Sequence, residues 1–125
     1  MIGFDEDQKL ARKLQQIQKE MDRLDDLDIE LMKKAYLDPD AAEDRMVAYR
    51  GENGEEGLFV ALRENPDQFG DYPEDKAQFD DAYMARKELP VVYAQYKRLR
   101  DEADLIQIER DRVGREREKE QGPLR

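Results

Sequence analysis

The apolar spacing near the start of the chain leaves little choice of secondary structure. Leu10, Leu14, Ile17, Met21 and Leu24 follow one another at intervals of 4, 3, 4 and 3 residues. That rhythm sets them on one stripe of an α-helix and on no single face of a strand. After Pro90 the same spacing returns through Val92, Tyr96, Leu99, Ala103, Ile106 and Val113, with Arg110 as the polar occupant of the stripe. Two long helices near the two ends, with stripes able to face each other, predict an all-α, elongated helical bundle whose first and last helices are its main staves.

The first stripe meets Asp28 at its next heptad position and continues only by shifting to Leu27 and Leu31. Beside it, Ile29, Met32 and Tyr36 open a second apolar face. A face widened in this way suits packing against more than one helix.

Between the staves the signals are local. Asp38-Pro39 reads as a helix N-cap and first helical position, and Asp40, Glu43 and Asp44 favour the positive end of the helix dipole, so a short helix is expected over about 39–50. Gly51-Glu52-Asn53-Gly54 is expected to end it. Gly57 opens a short apolar helix, LFVAL, that stops near Asn65 because Pro66 disfavours helical geometry in the residue before it. Asn65-Pro66-Asp67 then breaks the chain, Phe69 offers an apolar anchor, and Gly70 is expected to take a conformation that other residues resist. Pro73 is expected to start a helix through Phe79, Ala82, Tyr83 and Arg86, and Pro90 to kink it or divide it from the last one.

At 125 residues and 38% hydrophobic, the chain fits one domain with an elongated core. Charged residues reach 43%, which points to solvated helices laced with ion pairs. With no cysteine, histidine or tryptophan, disulfides, the usual zinc sites and any Cys- or His-based nucleophile are excluded. No apolar run approaches the roughly 20 residues of a membrane span, and the start lacks a basic region followed by an apolar one. The chain therefore reads as cytosolic where it is made, without membrane insertion.

The net charge of −10 is unevenly placed. Residues 1–34 carry 7 basic and 9 acidic groups, residues 35–90 carry 6 and 15, and residues 91–125 carry 9 and 8. The middle is thus an acidic block and the tail is not.

Candidate chemistry fares poorly against structural roles. Asp38, Asp40 and Glu43-Asp44 resemble the opening of a calcium loop, but Glu43 stands where such a loop needs glycine, and a helix cap explains these residues better. Asp25-Asp26 and Asp80-Asp81 are neighbours in sequence, which on a helix aims them in different directions. No phosphate-cradling loop of the G-x-x-x-x-G-K-S/T type occurs. The expectation is a protein that is not an enzyme and uses no cofactor or metal.

Direct nucleic-acid binding is disfavoured as well, since a net-negative surface is repelled by phosphates unless a basic face is segregated. The basic cluster of the tail, Arg110, Arg112, Arg115, Arg117 and Lys119, is interleaved with Glu109, Asp111, Glu116, Glu118 and Glu120. It reads either as a solvated helix end or as a charged recognition tail.

The order of features resembles a known family. The sequence has AYLDPDAAEDRM at 35–46, GENGEEG at 51–57 and ENPDQFG at 64–70. It is similar in that order to the BID (Bep intracellular delivery) domain of type IV secretion effectors and conjugative relaxases. Tyr36, Asp38 and Pro39 match the first motif of that domain, Arg45 and Met46 the second, and Pro66, Phe69 and Gly70 the third. Where the family continues with a leucine and a second glycine, this chain has Asp71-Tyr72-Pro73.

The resemblance spans residues from about 15 to 117 and implies four antiparallel helices topped by a hook-like turn region. A single bundle domain over 1–117 would then be followed by a flexible charged tail at 118–125. It also implies a non-catalytic translocation signal that docks on a type IV secretion coupling ATPase, with the basic tail contributing. Such a chain would be synthesised in the bacterial cytoplasm and delivered into a recipient or host cell. An alternative from the acidic block is a helical inhibitor or adaptor, DNA-mimic-like, that occupies a basic groove of a partner protein. A monomer is favoured, and pairing of the stripes between chains stays open.

Overall fold

The computed structural model describes the backbone over residues 2–121 and side chains over 5–116. The fold is all-α: helix α1 runs Ile2–Ala35, α2 Pro39–Glu64 and α3 Lys76–Gln121, with a 3-10 turn at Pro66–Phe69. Among the described residues there is no strand.

The helix boundaries follow from capping chemistry. Basic Lys33 and Lys34 lie in the last turn of α1, where their charge complements the negative end of the helix dipole. Asp38 caps α2 with an extended backbone, its carboxylate accepting from the Ala41 amide at 3.1 Å, and Pro39 fills the first turn. The amide of Asn65 closes α2 on the Ala61 carbonyl at 2.8 Å.

The Gly51–Gly54 stretch interrupts the helix as expected: α2 consists of two helical segments on either side of a kink at Gly54, whose φ of 78° and ψ of 171° are non-helical and suit glycine. Pro90 lies inside α3 and does not divide it. Pro73 does not start α3 either. Asp75 does, with its carboxylate accepting from the Gln78 amide at 3.1 Å and its carbonyl from the Phe79 amide at 2.8 Å. A carboxylate that can satisfy an orphan amide outranks a proline as the start signal.

The chain forms two compact units. One contains Met1–Arg23 and Tyr96–Arg125. Its core is Ile17 and Met21 against Ile106, with Leu10, Leu14, Tyr96, Leu99 and Ala103 half-buried around them. These are the residues of the two sequence stripes, so the stripes do face each other in this unit. At its margin the Arg110 guanidinium pairs with the Asp7 carboxylate, 2.9 Å from Nε and 3.3 Å from Nη2.

The other unit is Leu24–Gln95. Small and large side chains alternate in its core, with Ala35, Ala42, Ala82 and Ala85 buried beside Leu24, Leu62, Phe69 and Leu89. Alanines at these positions let helical backbones approach closely, and each buried leucine or phenylalanine contributes on the order of 2 kcal/mol relative to exposure. The Asp28 that interrupts the first stripe accepts a hydrogen bond from the Tyr93 hydroxyl at 2.7 Å.

Candidate functional site

The sequence motifs all lie in the second unit, and two of their residues, Tyr36 and Gly70, touch one buried side chain, Arg86, which is 1% exposed. Its Nε donates to the Ala35 carbonyl at 2.7 Å, Nη1 to the Asp67 carboxylate at 2.8 Å and Nη2 to the Gly70 carbonyl at 3.0 Å. The guanidinium also stacks on two tyrosines, 4.1 Å from the ring centre of Tyr36 and 3.6 Å from that of Tyr72. Arginine suits this place because a flat, forked cation can bond in its plane and stack on its faces at once.

Each motif residue then has a mechanical part. Tyr36, 1% exposed, donates its hydroxyl to the Pro66 carbonyl at 2.9 Å, so the end of α1 holds the start of the 3-10 turn. Arg45 Nη1 donates to the Phe69 carbonyl at 3.1 Å, and the buried Phe69 ring meets Tyr49 edge-on with centres 5.6 Å apart. Met46 is buried in the same unit. The Leu37 amide donates to the Asp71 carbonyl at 3.0 Å, closing the loop against the chain between α1 and α2. Asp67 also accepts from the Tyr72 hydroxyl at 2.9 Å.

Gly70 is required for a different reason than the sequence suggested. Its φ of 168° is ordinary extended backbone. A Cβ there would stand 2.9 Å from Tyr36 Cδ1 and 3.7 Å from the Ala42 Cβ, so the position is small because the tyrosine ring lies against it.

Burial and charge shift the titration of this node. The Tyr36 phenol is pushed up to about 12, first by burial, with Asp67 adding to the rise and Arg86 opposing it. Tyr72 is raised by burial and then by its bond to Asp67. Both phenols stay neutral donors at physiological pH. The arrangement holds two carbonyls and a carboxylate on one cation and sets no nucleophile beside a base.

An open cleft of about 330 Å³ adjoins the node, lined in part by Pro66, Asp67, Tyr72, Tyr83, Arg86 and Lys87. Lys87 Nζ sits 4.3 Å from the centre of the Tyr83 ring. A second cleft of about 440 Å³ is walled by Asp28, Asp40 and Glu43 with Ile29, Met32 and Tyr93. Among the described residues no three acidic side chains are grouped closely enough to hold a metal ion.

The basic tail residues belong to the other unit. Arg110 is tied to Asp7, and that bond holds its guanidinium charged. Arg112 is bonded to Glu109, with Nε to Oε2 at 3.1 Å, and to Glu116 at 2.6 Å. Arg115 is exposed, and the side chains of Arg117 and Lys119 lie outside the described residues.

Sequence reasoning named Tyr36, Asp38, Pro39, Arg45, Met46, Pro66, Phe69 and Gly70, but missed Arg86, Asp67 and Tyr72. The signal for Arg86 was present. Ala82, Ala85, Leu89 and Val92 make a buried stripe on α3, and Arg86 is a charged residue lodged beside it. Comparison with known protein families, curated proteins and solved structures returned no match.

Proposed function

We propose that this chain is a non-catalytic, BID-like delivery signal that docks on a type IV secretion coupling ATPase. The observation that supports this reading is that motif residues from separated stretches, Tyr36 and Arg45, both bond the backbone of the third, the turn at 66–70, which Arg86 also holds. Short motifs that share only an order in sequence would have no reason to meet. Here they brace the same turn, as a family pattern under one structural constraint would. In this reading the helices form the antiparallel four-helix arrangement that the resemblance implies, the kinked α2 supplying two of its segments. The turn after α2 is then the hook.

The decisive experiment fuses the chain to a translocation reporter in a donor carrying a type IV secretion system, beside a pulldown with the purified coupling ATPase. Wild-type transfer and ATPase capture are expected. Reversal of Arg115, Arg117 and Lys119 to glutamate is expected to lower transfer while helicity is unchanged. A folded wild-type chain that neither transfers the reporter nor captures the ATPase sinks the proposal.

A second reading has its own observation. Residues 35–90 carry 15 acidic groups against 6 basic ones, and the cleft at Asp28, Asp40 and Glu43 opens within this stretch and its flanks. An acidic helical surface of this kind suits an inhibitor or adaptor that enters a basic groove, with charge setting partner choice and association rate. Salt-sensitive capture of a nucleic-acid-binding protein, without capture of a secretion ATPase, favours it. Among the described residues no helix is long and apolar enough to cross a membrane.

A further inference from the structure

In the unit formed by Met1–Arg23 and Tyr96–Arg125, α3 has apolar residues on two faces. One face, with Leu99, Ala103 and Ile106, packs on Ile17 and Met21. The other presents Leu105 and Ile108, which are 68% and 61% exposed and are the two most exposed large aliphatic residues among the described side chains of this unit. They stand three residues apart, on one surface of the helix. A helix with a second apolar face has a second surface to cover.

The residues that extend this face say what covers it. Asp101 lies four residues before Leu105 and Arg112 four residues after Ile108, so one acidic and one basic group flank the apolar pair at equal distance. Their side chains are 51% and 48% exposed. Such an arrangement is self-complementary under a two-fold axis and under no parallel alignment. Turned antiparallel about the midpoint of Leu105 and Ile108, two copies set each Leu105 against the other chain's Ile108 and each Asp101 against the other chain's Arg112. In a parallel pairing Asp101 would meet Asp101 and Arg112 would meet Arg112. The same register also sets Arg98 level with Arg115 at its outer ends and, on the flanks of the face, Asp104 level with Glu109 and Glu102 with Asp111; these like charges stand beside the apolar pair and not between the helices, so solvent screens their repulsion.

We infer that this face of α3 is a homodimer interface, occupied by a second copy of the chain in antiparallel, two-fold register. The interface is isologous, so every favourable contact occurs twice. Asp101, now paired with Lys97 at 2.9 Å, and Arg112, now paired with Glu109 and Glu116, exchange exposed local partners for one across the axis. Exposed pairs of this kind are individually weak, so the exchange costs little. With only two aliphatic side chains per copy at its centre, the dimer is a weak one that forms at high protein concentration.

The test is sedimentation velocity of the full chain from about 10 µM to about 1 mM, the range in which a weak association is read. The wild-type mass is expected to move from monomer toward dimer. The double variant Leu105→Glu/Ile108→Glu is expected to stay monomeric with unchanged helicity. Asp101→Arg or Arg112→Asp alone sets like charges across the axis and is expected to weaken association at least tenfold, whereas the two together restore it. A wild-type chain that stays monomeric throughout overturns the inference. So does a dimer that survives the glutamate variant, or a charge-swapped pair that fails to recover.

Discussion

The Arg86 guanidinium lies 4.1 Å from the centre of the Tyr36 ring, and the two side chains hold one turn at different points. Tyr36 takes the Pro66 carbonyl, and Arg86 takes Asp67 and the Gly70 carbonyl. The 3-10 turn at Pro66–Phe69 is therefore fixed by side chains from the end of α1 and the first turns of α3.

Replacing Arg86 by methionine keeps much of the volume and removes the cation. The carbonyls of Ala35 and Gly70 then lose their donor, and Asp67 loses its cationic partner but keeps the Tyr72 hydroxyl and its access to water, its side chain being 61% exposed. The expected loss of stability is about 2–5 kcal/mol, the range for breaking a buried, charge-assisted network. Arg86→Lys recovers only part of this, because an ammonium cannot bond in a plane and stack on both rings. Chemical denaturation followed by the helical signal checks both; an Arg86→Met midpoint equal to wild type refutes the latch.

Two glycines separate steric need from backbone need. Gly70→Ala drives a Cβ to 2.9 Å from Tyr36 Cδ1, and the expected cost is about 1–3 kcal/mol, as for overpacking. Gly54 has open space around it but a φ of 78°, so Gly54→Ala is expected to cost about 1–3 kcal/mol through the backbone alone. Near-ultraviolet circular dichroism distinguishes them, since displacing Tyr36 changes the tyrosine signal and relaxing the Gly54 kink leaves that ring in place.

What the sequence made legible follows from the range of each interaction. The stripes Leu10 to Leu24 and Val92 to Val113 predicted the two long helices because apolar periodicity is written into consecutive residues. Asp38-Pro39 predicted the α2 cap for the same reason. The Gly51–Gly54 break was legible because a backbone at φ 78° calls for glycine, whereas Pro90 does not divide α3, because tertiary packing carries a helix through a residue of poor intrinsic propensity. The Arg86 node was invisible as a node. Its hydrogen-bond partners lie 16 to 51 residues away in sequence, and no local pattern records which carbonyl a buried guanidinium meets.

Asp28 gives a pH signature. It is partly buried near Asp25, Lys33, Asp40 and Glu43 and accepts from Tyr93. Burial raises its carboxyl above the usual range, the Tyr93 bond opposes that rise, and Glu43 and Asp25 add to it. A carboxyl with a raised folded-state pKa is a group whose ionised form disfavours the fold. Its penalty is therefore present at neutral pH and is relieved as pH falls through that raised value. Asp28→Asn, which still accepts from Tyr93, is expected to be more stable than wild type at pH 7, with the difference shrinking as pH drops toward the ordinary carboxylate range. Denaturation of both proteins across pH 4 to 8 measures it, and a difference that stays constant with pH rejects the assignment.

Arg110 tests whether the basic tail acts by contact or by structure. It bonds Asp7 with two nitrogens, and both side chains are about 30% exposed. Each single reversal, Asp7→Arg or Arg110→Asp, is expected to lower the thermal midpoint slightly, as for an ion pair open to solvent. The double swap restores the pair and the thermal midpoint. Stability alone thus reports the intramolecular role, while reporter transfer, under the delivery function proposed above, reports the other. If Arg110 serves only the fold, the double swap restores delivery together with stability. If its charge is read by the coupling ATPase, the swapped protein regains its midpoint and still fails to transfer. That outcome would place the docking surface on this stretch of α3, and full recovery would move it to Arg115 and the residues beyond.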